Sequence, residues 1–208
     1  MLTARAVSKA YGDRQILTGV DLDLAEGDVV GLGGASGSGK TTLGKVLAAR
    51  LAPDHGDVLL EGVEVAPATP GHPAPLQYAP QSPELAIDPR WPVRKVLANG
   101  MPPDPEVLAA LGIRNVWADR LPMQLSGGEL ARVSLARLFH PHLRVLICDE
   151  ITSQLDAIEQ DLLLRALVEL AARRRISLLL ISHSSALRSR FCRRSMVLDR
   201  RDDSKSCE

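Results

Sequence analysis

The chain has little cysteine, no surplus of either charge and no long hydrophobic run, and each shortage removes a class of function. Three cysteines in 208 residues, Cys148, Cys192 and Cys207, stand far apart with no CxxC pair. An odd, dispersed set suits a reducing compartment and offers neither a disulfide framework nor metal-ligand spacing. Cys148, inside an apolar run, reads as a small core residue. The 25 basic and 25 acidic side chains cancel, so net charge leaves no footprint for a nucleic-acid partner. Arginine groups at 173–175 and at 188, 190, 193 and 194 read as solvated helix faces. No apolar stretch approaches the ~18 residues of a membrane span. The first residues lack the charged-then-apolar pattern of a secretory signal. A cytosolic protein is expected, one that meets a membrane only through a partner. There is no internal repeat, and low complexity is confined to the polar tail RRDDSKSCE.

What remains is an alternation. The runs DVVGLGG (28–34), RVLICDE (144–150) and ISLLLIS (176–182) are too uniformly apolar for half-exposed strands, and read as buried strands of a parallel sheet. Helical periodicity follows each, in KTTLGKVLAARL, AIEQDLLLRALVELAARR and SSALRSRF. Strands alternating with helices give an α/β core. The first thirty residues and GDVLLEGVEV (56–65) instead alternate polar with apolar between glycine turns, as short antiparallel strands do. Eleven of the 14 prolines crowd into 66–105. Proline lacks a donor and blocks helices and central strands, so this stretch is expected to be mostly loop. The expected organisation is one domain over 1–208. Residues 1–82 and 141–208 form the core with its β subdomain, and about 83–140 form a small, mostly helical lobe.

The chemistry begins at Gly34. GASGSGKTT follows the strand at 28–32, opens a helix, and fits G-x-x-x-x-G-K-[ST] without a mismatch. Gly34, Gly37 and Gly39, with Ala35, Ser36 and Ser38, let backbone N–H groups converge on a triphosphate. Lys40 reaches the β- and γ-phosphates, the Thr41 hydroxyl ligates Mg²⁺, and Thr42 continues the helix start. Asp149, at the end of VLICDE, is placed to hold that ion, and Glu150 points beyond it, toward an attacking water. His183 ends LLLISH at the C-terminal edge of the sheet, where ligands bind.

A second stretch, LPMQLSGGELAR (121–132), places two glycines after a serine at the start of an apolar-periodic helix. Glycine there costs ~1 kcal/mol against alanine, but bare amides at a helix N-terminus suit an anion.

Together these residues resemble the ATP-binding subunits of ABC transporters, over nearly the whole chain and in the family's motif order. Gly34–Thr41 is similar to the Walker A motif, Gln81 to the Q-loop and LSGGE (125–129) to the signature. VLICDE is similar to the Walker B motif, SQLD (153–156) to the D-loop, His183 to the switch histidine, and Tyr11 to the adenine-stacking aromatic. The resemblance implies a P-loop NTPase fold, with a RecA-like parallel sheet, an antiparallel β subdomain and a helical lobe. It implies ATP and Mg²⁺ as ligands, with the ion held by Thr41, Gln81 and Asp149 and catalysis by Glu150, His183 and Gln81. It further implies a second ATPase subunit, identical or related, paired head to tail. Ser126, Gly127, Gly128 and Glu129, with Asp156, would then serve the partner's nucleotide.

Transmembrane permease subunits would dock at the proline-rich 82–105 segment, an extracytoplasmic binding protein would act through them, and this chain would lie against the inner face of the membrane. PELAIDPRWPV, LSGGELAR and DEITSQLDAIEQ look like the dipeptide, oligopeptide and nickel importers, although the C-terminal extension usual in peptide-importer ATPases is missing. The chain departs from the common pattern at Glu129 (usually Gln), Ile151 (usually Pro) and Gln154 (usually Ala). Two rival classes fit less of the sequence. A P-loop small-molecule kinase leaves the signature and His183 without a use. A non-transport ABC ATPase of DNA repair would need a long coiled coil between Gln81 and Ser126, a gap that here is proline-rich and without heptads.

Overall fold

The computed structural model describes residues 1–69 and 72–199; Pro70, Cys207 and the polar tail fall outside the described residues. Strands β1 (Leu2–Tyr11), β2 (Arg14–Leu24), β4 (His55–Leu60) and β5 (Val63–Glu64) form an antiparallel sheet in the order β2-β1-β4-β5. Strands β3 (Val29–Gly33), β6 (Leu76–Ala79), β7 (Val145–Asp149), β8 (Ser177–Ile181) and β9 (Arg194–Val197) form a parallel sheet in the order β6-β7-β8-β3-β9. Six α-helices are described: α1 (Lys40–Leu47), α2 (Val93–Leu97), α3 (Pro105–Ala110), α4 (Gly127–Ala136), α5 (Ala157–Arg173) and α6 (Ser185–Phe191).

The parallel sheet divides the core in two, because successive strand side chains point to opposite faces. Val145 and Ile147 of β7 join Val30, Leu32, Leu179 and Ile181 on one face. There Leu43, Val46 and Leu47 of α1 fill the space between this sheet and Leu2, Ala4, Leu17 and Leu22 of the antiparallel one. Leu146 and Cys148 face the other way, with Val29, Leu178 and Leu180. They meet Leu163, Leu167 and Leu170 of α5 and, in the same cluster, Val93, Val107, Trp117, Leu130 and Leu135 from the 83–140 segment. Cys148 is thus a core residue, and burial pushes its thiol well above the usual range.

The helix starts are written locally. Asp156 caps α5, accepting from the amides of Ile158 and Glu159 at 2.9 Å each. Asp104 accepts from the Glu106 amide ahead of α3, whose Pro105 sits where its missing donor costs nothing.

Three sequence expectations need adjusting. Four residues inside the proline-rich stretch form β6, an edge strand beside β7 with Pro75 and Pro80 just outside it. Proline is tolerated at strand ends and edges, so composition hides such a strand. The 83–140 segment is less helical than its spacing suggests, with α2 and α3 only five and six residues long and 3₁₀ turns elsewhere. Finally, the arginines do more than solvate helix faces. Arg174 at the end of α5 pairs with Asp104 at 2.7 Å and Glu106 at 2.5 Å, tying α5 to α3. Arg190 pairs with Asp161 at 2.8 Å, and Arg188 donates to the carbonyl of Ser182.

Candidate functional site

The loop from Gly34 to Gly39 leaves β3 and enters α1 through backbone that favours glycine, with φ of 141° at Gly34, 74° at Gly37 and 97° at Gly39. A Cβ on Gly34 would lie 2.5 Å from the Leu198 carbonyl oxygen and 2.6 Å from Ser38 Oγ, so the loop closes on itself only with glycine there. Gly39, at the N-cap, gives α1 no side-chain cap, which leaves the first amides of the helix to an external acceptor. Lys40 is buried, and its Nζ donates to the carbonyls of Gly34 at 3.0 Å and Ala35 at 2.8 Å, curling the ammonium back over the loop. Ser38 Oγ is buried without a hydrogen-bond partner.

This loop floors an open cleft of about 480 Å³. Ser36, Gly37, Gly39, Lys40, Thr41 and Thr42 line one side, Gln81, Glu150 and His183 the other, and Arg14 and Ile16 of β2 the rim. The sequence-derived residues of phosphate loop, Q-loop and strand ends thus converge. Glu150 follows β7 with φ of 48°, left-handed backbone that costs a non-glycine residue about 1–3 kcal/mol. Its amide donates to Ile181 at 3.0 Å, extending the β7–β8 ladder by one residue before the chain turns away. Its carboxylate accepts from Gln81 Nε2 at 3.1 Å and lies 3.7 Å from His183 Nδ1, whose side chain is mostly exposed. Asp149 sits one step deeper, buried, with Oδ2 accepting from the Tyr78 hydroxyl at 2.6 Å. Burial and that carboxylate push the Tyr78 phenol far above its usual range, so it remains a donor.

One expected adenine contact lies elsewhere. Tyr11 is half exposed at the end of β1 and does not line the cleft; its cross-strand partner Arg14 does. Arg14, Ile16 and Tyr78 escape a reading of the sequence. The signals for them are positional alone: Arg14 across the hairpin from Tyr11, and Tyr78 three residues before Gln81.

The stretch 126–129 takes no part in its own chain's cleft. Ser126 is the N-cap of α4 and forms a reciprocal capping box: the Ser126 amide donates to Glu129 Oε2 at 2.9 Å, and the Glu129 amide to Ser126 Oγ at 3.2 Å. The box works with Glu or Gln at its fourth position, which explains how this chain carries Glu129 without altering the turn. Ser126 and Gly127 are exposed, whereas Gly128 is buried against Glu159, whose Oε2 would be 2.8 Å from a Cβ there. Asp156, the other residue expected away from this cleft, faces its own helix as the cap of α5.

Comparison with known proteins agrees with this geometry. The sequence profile of the ABC transporter family matches residues 17–153. The chain is 32% identical to nickel import ATP-binding protein NikE of Rhodospirillum rubrum, over 96% of this chain and 81% of that protein. It is 33% identical to NikE of Escherichia coli, over 92% and 78% of the two chains. Among solved structures, the dimeric structure of a bacterial ABC transporter cassette aligns with a TM-score of 0.80 at 22% identity, covering 96% of this chain and 94% of that one. A dimeric post-hydrolysis cassette bound to ADP and Pi aligns with a TM-score of 0.82, also at 22% identity, covering 95% and 94%. A phosphate loop, a strand-end acid pair and a capped LSGGE helix on one such fold have a single reading: the chain belongs to the ABC transporter family, as one of its ATP-binding, ATP-hydrolysing cassettes.

Proposed function

We propose that this cassette powers a nickel importer, and that each of its catalytic clefts is completed by the LSGGE helix of a second cassette. One observation carries the composite site. The cleft gathers the phosphate loop, Gln81, Glu150 and His183 but nothing from 126–129, while Ser126 and Gly127 stand exposed at the start of α4. A helix start with unpaired amides is an anion site, and a partner's γ-phosphate is the anion that head-to-tail pairing would bring. Asp156 and Glu129 would border the same junction, and Tyr11 beside Arg14 would meet the adenine.

The donor set fits a magnesium nucleotide. Gly34 has no room for a side chain, the buried Ser38 Oγ lacks a partner, and the uncapped start of α1 faces the cleft. Thr41, Gln81 and Asp149 would hold Mg²⁺, which when bound neutralises charge on the phosphates. Lys40 would exchange its two loop carbonyls for phosphate oxygens. Glu150, held by Gln81 and close to His183, would accept a proton from the attacking water, and His183 would orient that water. Phosphoryl transfer asks little else of a protein than placement and charge.

Among the described residues no helix is long and apolar enough to cross a membrane. Coupling to transport would run through permease subunits docked at 82–105, with the cassette peripheral on the inner face of the membrane and an extracytoplasmic binding protein delivering cargo. Nickel as cargo is supported by the names of the relatives. The test is affinity purification from membranes, followed by uptake assays in cells lacking the gene. Recovery with permease subunits, and loss of nickel uptake in the deletion strain, are the expected results. Loss of dipeptide uptake with nickel uptake intact would overturn the cargo, and recovery without any membrane subunit would overturn the transport role.

A further inference from the structure

We infer that Tyr78 is a positioning residue for the reaction, acting through its buried hydrogen bond to set the Asp149 carboxylate that faces the metal. The inference rests on the reading of Asp149 as a magnesium ligand.

The geometry is tightly constrained. Tyr78 and Asp149 are each 2% exposed, and the hydroxyl donates to Oδ2 at 2.6 Å. They sit on adjacent parallel strands, with Tyr78 paired to Ile147 in register, so the bond runs diagonally across β6 and β7 toward the catalytic end of the sheet. A carboxylate with one oxygen taken by a fixed donor cannot rotate freely, and its other oxygen is then presented in one direction.

The ring is itself held from α1. Gly44 of that helix lies so close that a Cβ there would be 3.2 Å from Tyr78 Cε2. The Arg50 guanidinium lies over the ring, 5.1 Å from its centroid. The helix that starts with Lys40 and Thr41, together with Arg50 just beyond its end, therefore clamps the ring that orients Asp149. Tyr78 also stands three residues before Gln81, so the same bond anchors the strand leading to that residue. A tyrosine kept only to fill the core would need no acceptor of this kind, and phenylalanine would serve.

The experiment measures Mg²⁺ rather than turnover. Binding of a fluorescent ATP analogue is titrated with Mg²⁺ in wild type, Tyr78→Phe, Asp149→Asn and the double variant, with melting temperature recorded for each. Loss of an outer-shell partner is expected to weaken apparent Mg²⁺ affinity by about tenfold in Tyr78→Phe, with nucleotide affinity in EDTA unchanged. The double variant should be no worse than Asp149→Asn, since Tyr78 acts through that carboxylate. A Tyr78→Phe protein that melts lower but keeps wild-type Mg²⁺ affinity, while Asp149→Asn loses it, overturns this inference alone. An Asp149→Asn protein with wild-type Mg²⁺ affinity overturns the metal assignment beneath it. Should Tyr78→Phe fail to fold, the wild-type chain still reports, because it has only two tyrosines. Labelled with 3-fluorotyrosine and assigned with Tyr11→Phe, the residue-78 ¹⁹F resonance should move when Mg²⁺ joins bound nucleotide. A resonance that stays fixed counts against the role.

Discussion

In the proposed site Lys40 serves binding and Glu150 serves chemistry. Lys40 keeps its ammonium on two backbone carbonyls and has no acidic partner among the described residues. Lys40→Ala thus strands no buried charge and should fold normally, as circular dichroism would show. It should lose nucleotide affinity by roughly tenfold or more, since a charge-assisted phosphate contact disappears. Near wild-type affinity by calorimetry would remove the residue from the site. Glu150→Gln keeps shape and most hydrogen bonding but loses the proton acceptor. Its turnover should fall by roughly 10²- to 10⁴-fold while ATP binding persists. Phosphate release at the wild-type rate would transfer the role to His183, 3.7 Å away. Both residues are legible in the amino-acid sequence, because a phosphate loop dictates its own spacing and an acid pair at the end of an apolar strand marks its counterpart. Tyr78 is not, because its role arises from a lateral contact between strands 71 residues apart in sequence.

At the level of elements, legibility follows how local the determinants are. Strands β3, β7 and β8, buried on both faces, announce themselves as continuous apolar runs, and the caps of α4 and α5 lie within a few residues of what they cap. Strand β6 is hidden because four residues between prolines look like loop until β7 supplies their hydrogen bonds. The capping box of α4 yields a graded prediction. Glu129→Gln should be near neutral in melting temperature, since the amide oxygen still accepts from Ser126. Glu129→Ala should cost ~1 kcal/mol. Ser126→Arg puts a bulky cation on the exposed helix start and should abolish hydrolysis while monomeric ATP binding survives. Intact hydrolysis in Ser126→Arg would show that this helix start does not serve a partner's phosphate.

For the whole molecule, the proposed composite site means incompleteness: one chain would supply a cleft and, elsewhere on its surface, the piece that another cleft lacks. Glu150→Gln protein with ATP and Mg²⁺ should elute as a dimer on size exclusion, and the Ser126→Arg/Glu150→Gln double variant as a monomer. If the physiological partner is a related second ATPase, the dimer peak should appear only in the mixture. A monomer peak in every case would leave the composite site unsupported.

The cluster that joins α5, the sheet and the 83–140 segment has a thermal consequence as well. Val93, Val107, Trp117 and Leu130 share one apolar interior with Leu146 and Leu167, rather than having a separate one joined by a linker. Any displacement of Ser126 relative to Lys40 would then be expected to proceed by shear, side chains slipping past one another over a short distance, not by a hinge that opens to water. Shear of this kind uncovers almost no apolar area, and heat capacity follows uncovered area. Calorimetric titrations at several temperatures should therefore find little heat-capacity change when nucleotide binds the monomeric Ser126→Arg protein. A markedly negative change should appear only with chains that can close on one another.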